Sequence, residues 1–157
     1  MTPAINSAKK AKIPFTLHSY AHDSTSPSYG KEAAEKLGIA EESVFKTLVV
    51  QLDGHALAVG IIPVSMTLNM KQIAKSAKAK KAAMADKSEV ERATGYVLGG
   101  VSPLGQKKRL PTIIHSSAIS FSTIFVSAGR RGLELELKPA DLADLTGAIF
   151  AEIGDAR

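Results

Sequence analysis

A chain of 157 residues without a single cysteine is long enough to bury a core without covalent staples, and it excludes a thiol nucleophile, a disulfide framework and any cysteine-ligated zinc or iron–sulfur centre. Twenty Lys and Arg against fifteen Asp and Glu leave a formal charge of +5, which favours a polyanionic partner by long-range attraction, while an aromatic content of only 5% argues against a sheet that stacks several bases. With no long apolar run and no signal-type or transit-type opening, the expectation is a soluble, cytoplasmic protein that engages no membrane.

Thr2 followed by Pro3 is a helix cap and a favoured first helical position, so a helix is expected up to Pro14. Phe15 to His18 alternates as a strand. His18 and His22 stand four apart beside Asp23, but the stretch from His18 to Ser28 is rich in turn residues, which suits a polar loop better than a metal pair on a helix. Gly30 to Leu37 reads as a helix closed by Gly38. Val44 to Leu52 is the most apolar strand candidate; Asp53-Gly54 is a hairpin signal, and Ala56 to Ile62 is its partner. Lys46, near the start of that apolar strand, must either escape to solvent at the strand end or point into a polar site.

Asn69 to Ala79 reads as a helix carrying a stripe of Lys71, Lys75 and Lys78, either a solvated face or a contact for RNA phosphates. Asp86 to Thr94 is a helix with a capping box from Asp86 to Glu89 and a stop at Gly95. Strands follow at Thr112 to Ile114, Thr123 to Ser127 and Leu133 to Leu137, with a turn over Ala128 to Gly132. In the last strand Glu134 and Glu136 share the face opposite Leu133, Leu135 and Leu137, and are expected to be wet. Pro139 opens a final helix through Leu145, and Ala148 to Ile153 closes the chain. Antiparallel strands interrupted by scattered helices imply an α+β fold, a single domain over residues 1–157.

The stretch from Thr94 to Pro111, T-G-Y-V-L-G-G-V-S-P-L-G-Q-K-K-R-L-P, places four glycines directly before Lys107, Lys108 and Arg109. Such a loop is either a tight strand connection or a bare backbone offering N–H groups to a phosphate-bearing partner. It matches neither G-x-G-x-x-G nor G-x-x-x-x-G-K-[ST], so a dinucleotide or nucleoside triphosphate site has no support. The basic clusters are expected on one face, with an acidic end opposite.

With those motifs in view, the chain resembles the YbaK family, freestanding relatives of the editing domain of bacterial prolyl-tRNA synthetase. The resemblance rests on M-T-P-A at the start, F-K-T-L-V-V at Phe45 to Val50, M-A-D at Met84 to Asp86, the glycine loop, and V-S-A-G-R-R-G-L at Val126 to Leu133. The loop places it nearest the Cys-tRNA(Pro) deacylase branch. The resemblance implies a curved, barrel-like mixed sheet surrounded by helices and removal of a misattached amino acid from the acceptor end of tRNA(Pro), with prolyl-tRNA synthetase as partner and no cofactor or metal. It further implies that Lys46, Gly99 and Gly100 act at the ester, that Tyr20, Thr47, Ser102, Ser127, Gly129 and Glu136 line the substrate site, and that the substrate's own thiol attacks its carbonyl. Lys71, Lys75, Lys78, Lys107, Lys108, Arg109 and Arg130 are the expected tRNA contacts. Ala128 stands where relatives usually show a second glycine. A deacylase for Ala- or Ser-tRNA, or a noncatalytic RNA-binding adaptor on the same fold, are the alternatives.

Overall fold

The structure, a computed structural model, describes residues 1–26 and 28–157. In chain order it runs α1 (Pro3–Ala11), β1 (Thr16–Ser19), α2 (Tyr29–Leu37), β2 (Phe45–Leu52), β3 (Ala56–Pro63), β4 (Met66–Leu68), α3 (Met70–Ser76), β5 (Ala82–Met84), α4 (Lys87–Thr94), β6 (Thr112–His115), β7 (Ile124–Arg130), β8 (Leu133–Leu137), α5 (Pro139–Thr146), β9 (Ile149–Ala151) and β10 (Gly154–Ala156). This is the expected α+β arrangement. Of the polar stretch read between His18 and Ser28, Pro27 lies outside the described residues.

The strands form a five-stranded mixed sheet ordered β5-β2-β3-β6-β9, a three-stranded sheet ordered β1-β8-β7, and a β10-β4 pair. β2 runs antiparallel to both β3 and β5, whereas β3–β6 and β6–β9 are parallel. The two larger sheets meet through a parallel bridge between Val44 and Phe125. They do not close into a barrel.

Local chemistry explains most of the elements. Thr2 caps α1, its Oγ1 accepting from the Ile5 N–H, and also donates to the Ala128 carbonyl, which pins the helix to β7. Asp53 and Gly54 both take left-handed φ, as a tight hairpin requires, and the Asp53 carboxylate accepts from the Lys80 and Lys81 N–H groups to seat β5 against the hairpin. Three expectations need correction. Helix α3 ends at Ser76, and Lys78 sits beyond it with a left-handed φ of 60°, so Lys71, Lys75 and Lys78 do not make one helical stripe. Asp86 precedes α4 without a side-chain capping bond, so no capping box forms. The turn read over Ala128 to Gly132 is shorter, because β7 continues through a bulge to Arg130; the positive φ there belongs to Gly129 and not to Ala128, so alanine fits.

Alternate residues of the large sheet feed two cores. Val49, Val59, Ile61 and Ile114 face α1, α4 and the glycine loop, while Val50, Leu52, Ala58, Ile62 and Ile113 face α3 through Ile73. Helix α3 and the glycine loop thus pack on opposite sides of this sheet.

The loop itself is anchored by close approach. Gly105 has φ +68°, and a Cβ there would lie 2.5 Å from the Pro3 carbonyl oxygen and 2.9 Å from the Ala4 nitrogen. Backbone cannot yield as a flexible side chain can. Gly105→Ala is therefore expected to destabilise the fold by roughly 2 kcal/mol or more, read as a lowered midpoint in urea unfolding; an unchanged midpoint would show that the loop does not depend on this contact.

Candidate active site

A cleft of about 320 Å³ opens where the start of β2, the first turn of α2, the glycine loop and the β7–β8 turn converge. Lys46 and Thr47 come from β2, Tyr29 from α2, Gly99 from the loop, Ser127, Arg130 and Arg131 from β7 and its turn, Glu134 from β8, and Tyr20 and Arg157 from the flanking chain.

Lys46 resolves its two possible fates in favour of the polar site. It is half-buried, and burial, followed by the neighbouring charges of Arg157 and Lys31, pushes its ammonium below the usual lysine range. Thr47 Oγ1 is buried with no hydrogen-bond partner among the described residues, an orphan that a bound polar group would satisfy. Tyr20 donates its N–H to the Gly132 carbonyl at 3.0 Å, and burial, aided by Glu134, raises its phenol above the ordinary value. Ser127 Oγ accepts from the Gly129 N–H at 3.1 Å across the bulge.

Glu134 is the group that sequence reasoning placed wrongly. It is only 7% exposed, lies opposite Ser127 on β7 and His18 on β1, and faces the cleft. Burial raises its carboxyl from 4.5 to about 8. The strand alternation that puts it opposite the leucines was legible. Nothing local reveals that this face is covered by the glycine loop and α2 instead of water. Glu136 lies outside the cleft, its carboxylate accepting from Thr123 Oγ1 at 2.6 Å and meeting His18 Nε2 at 2.8 Å; the Thr123 bond, then His18, holds it below its ordinary range despite some burial.

The other sequence candidates divide. Gly99 lines the cleft with φ +95°, and a Cβ there would sit 2.6 Å from the Tyr29 ring. Gly100 is not among the lining residues, and its N–H already donates to the Val97 carbonyl at 2.9 Å. Ser102 is fully buried within the loop, accepting from the Leu104 N–H, and Gly129 packs against Tyr96 and Thr2; both shape the walls from behind. Among the expected tRNA contacts only Arg130 lines the cleft. Lys107 and Lys108 donate backbone N–H groups to the end of α4, Arg109 Nη1 donates to the Leu145 carbonyl at 3.3 Å, and Lys108 and Arg109 border a separate hollow of about 210 Å³. His18 and His22 are drawn apart, to Glu136 and Glu32 respectively.

A carboxyl deep in a cleft whose rim carries Lys46, Arg130, Arg131 and Arg157 suits a ligand with a cationic end and an anionic tail. Residues 26–145 match the family described as "Aminoacyl-tRNA editing domain". The chain belongs to that family. It is 38% identical to an Enterococcus faecalis protein named "Putative Cys-tRNA(Pro)/Cys-tRNA(Cys) deacylase EbsC", over 97% of this chain and 92% of that one. It is also 26% identical to the Bacillus subtilis protein YwhH, over 89% of this chain and 91% of that one. Among solved structures it superposes on hypothetical protein APE2540 with a TM-score of 0.85 at 25% identity, covering 98% of this chain and all of that one. The structure of "a putative trans-editing enzyme for prolyl tRNA synthetase" gives 0.84 at 19% identity, covering 99% of both chains, and shares the fold. As a member of this family the chain is an aminoacyl-tRNA deacylase. No helix among the described residues is long and apolar enough to cross a membrane.

Burial of Glu134 gives the editing domain a definite pH signature. Between 4.5 and about 8 the folded protein keeps a proton that the unfolded chain has lost, so this group's contribution to stability falls as pH rises through that window and is flat above it. Glu134→Gln removes the dependence. Its melting temperature should exceed wild type clearly at about pH 8.5 and little at about pH 5, as thermal unfolding would show; an equal offset at both values would contradict the assigned burial effect.

Proposed function

We propose that the chain acts in trans in the cytoplasm on Cys-tRNA(Pro), alone or beside prolyl-tRNA synthetase. The observation that carries this reading is the cleft's division into a buried acid and a cationic rim. An aminoacyl ester presents an α-ammonium next to its carbonyl and, beyond the terminal ribose, a phosphate backbone. The ammonium pairs with Glu134, which ionises on receiving a positive partner, and the rim cations take the backbone. The name of the Enterococcus relative supports the cysteinyl substrate.

The ester is already activated, so modest stabilisation suffices. The chain has no cysteine, and in this reading the nucleophile is the substrate's own thiol. Its sulfur bonds to the carbonyl carbon, the bond from that carbon to the ribose oxygen breaks, and the thiol proton ends on the released tRNA hydroxyl, leaving a thiolactone. Oxyanion stabilisation falls to Lys46 and the Gly99 N–H, because the Gly100 N–H is already engaged with Val97. Ser127 and Thr47 orient the aminoacyl group.

The decisive assay releases labelled amino acid from Cys-, Ser-, Ala- and S-methyl-Cys-tRNA. Cys-tRNA should be cleaved faster than Ser-tRNA by more than the roughly 10- to 200-fold that packing around one atom supplies, S-methyl-Cys-tRNA should be inert, and Lys46→Ala should lose about 100-fold or more while keeping its fold. Brisk release of S-methylcysteine would replace thiol attack with an activated water.

A further inference from the structure

One of the rim cations, Arg131, is held by a connected set of side chains behind the cleft wall, which the proposed chemistry leaves without a role. The Arg131 guanidinium carbon lies over the Tyr29 ring, 3.4 Å from its centroid. Its Nη1–H donates to His22 Nε2 at 3.0 Å. Because that nitrogen accepts, the ring proton sits on Nδ1, which donates to Glu32 Oε1 at 2.7 Å. Glu32 is buried, its other oxygen accepting from the Asp23 N–H at 2.8 Å and lying 3.5 Å from Lys36 Nζ. Gly99 completes the fit, since a Cβ there would approach Arg131 Nε and Nη2 to 3.2 Å.

A guanidinium fixed this way has lost its freedom before any ligand arrives. The contact with the Tyr29 ring holds one face of it and the bond to His22 holds one end of it. Only one of its five N–H donors is used by His22, so others remain for a planar, two-oxygen acceptor at the cleft rim beside Arg130 and Lys46. Nothing else at the rim is so restrained. The Arg130 side chain makes no hydrogen bond among the described residues, and Lys46 carries a single ammonium.

We infer that Glu32 and His22 form a positioning relay that holds Arg131 as a preset fork for a phosphodiester of the single-stranded 3′ end of the RNA. Here His22 is a positioning residue that acts through Arg131, and Glu32 fixes the tautomer that lets His22 accept. Order already present in the free protein is not lost again on binding, which raises affinity without a new contact. The inference rests on the reading of the cleft as the acceptor-end site.

The test is a double-mutant cycle on a minihelix bearing an acceptor stem and its single-stranded 3′ end, with Kd read for wild type, His22→Leu, Arg131→Gln and the pair, and deacylation kinetics alongside. Each single variant should weaken Kd by about 5- to 20-fold, with the loss falling on KM and not on kcat, and the pair should be no weaker than Arg131→Gln alone. His22→Gln, which retains a donor and an acceptor, should recover most of the affinity. Should His22→Leu fail to fold, Arg131→Lys, which keeps the charge and loses the fork, should weaken Kd to a similar degree. Additive losses, a fall in kcat alone, or wild-type affinity in Arg131→Lys would overturn the relay. If the cycle is non-additive but no aminoacyl-tRNA is deacylated by wild type, the relay stands as an RNA contact and the catalytic reading falls.

Discussion

Among the described residues the two large sheets are paired by one isolated parallel bridge, Val44 to Phe125, and otherwise meet through side chains of a shared core. From that point β2 turns to its partners β3 and β5, while β7 stays with β8 and is bent by the bulge at Ser127 to Arg130. The gap between the diverging strands is the cleft. Residues Val44 to Leu48 form one side of it and Ser127, Arg130 and Glu134 the other. Regular pairing across the gap would have filled it with ladder hydrogen bonds and apolar side chains, and no site could exist there.

The gap is lined by apolar side chains such as Val44, Leu48, Val64 and Leu98 together with a few charged ones, and the fold buries those charged groups to different degrees. Glu134 lies at the bottom, where desolvation favours its neutral form. Lys46 is half-buried above it, its charge opposed by burial and by Arg157 and Lys31. Both groups are therefore held in states that a ligand of opposite charge relieves, the acid by an ammonium and the lysine by an anion. A site of this kind sacrifices some stability of the free protein and regains it on binding.

Lys46 stood out in the sequence as a cation at the head of an apolar strand, but strand chemistry alone left escape to solvent open and only the family resemblance pointed it into the site, whereas α1, the Asp53-Gly54 hairpin and the core strands were legible from caps, turn chemistry and period. The strands β4, β5 and β10 were not, since three-residue segments such as Met66–Leu68 carry too little pattern to separate from loop. Glu134 and Glu136 were correctly assigned to one face of β8, but the covering of only the first depends on packing from α2 and the glycine loop, distant in sequence. The helix read through Ala79 stopped early because the chain turns at Lys78 to begin β5. The relay from Glu32 to Arg131 joins residues that no local spacing connects.

The most direct test of the account is a structure with a nonhydrolysable cysteinyl-adenosine analogue, its ester replaced by an amide. The account predicts the ammonium within hydrogen-bond distance of Glu134, the carbonyl oxygen toward Lys46 and Gly99, and the adenosine leading out past Arg130 and Arg131. Binding in the hollow beside Lys108 and Arg109, or in the cleft with the ammonium directed away from Glu134, would contradict it.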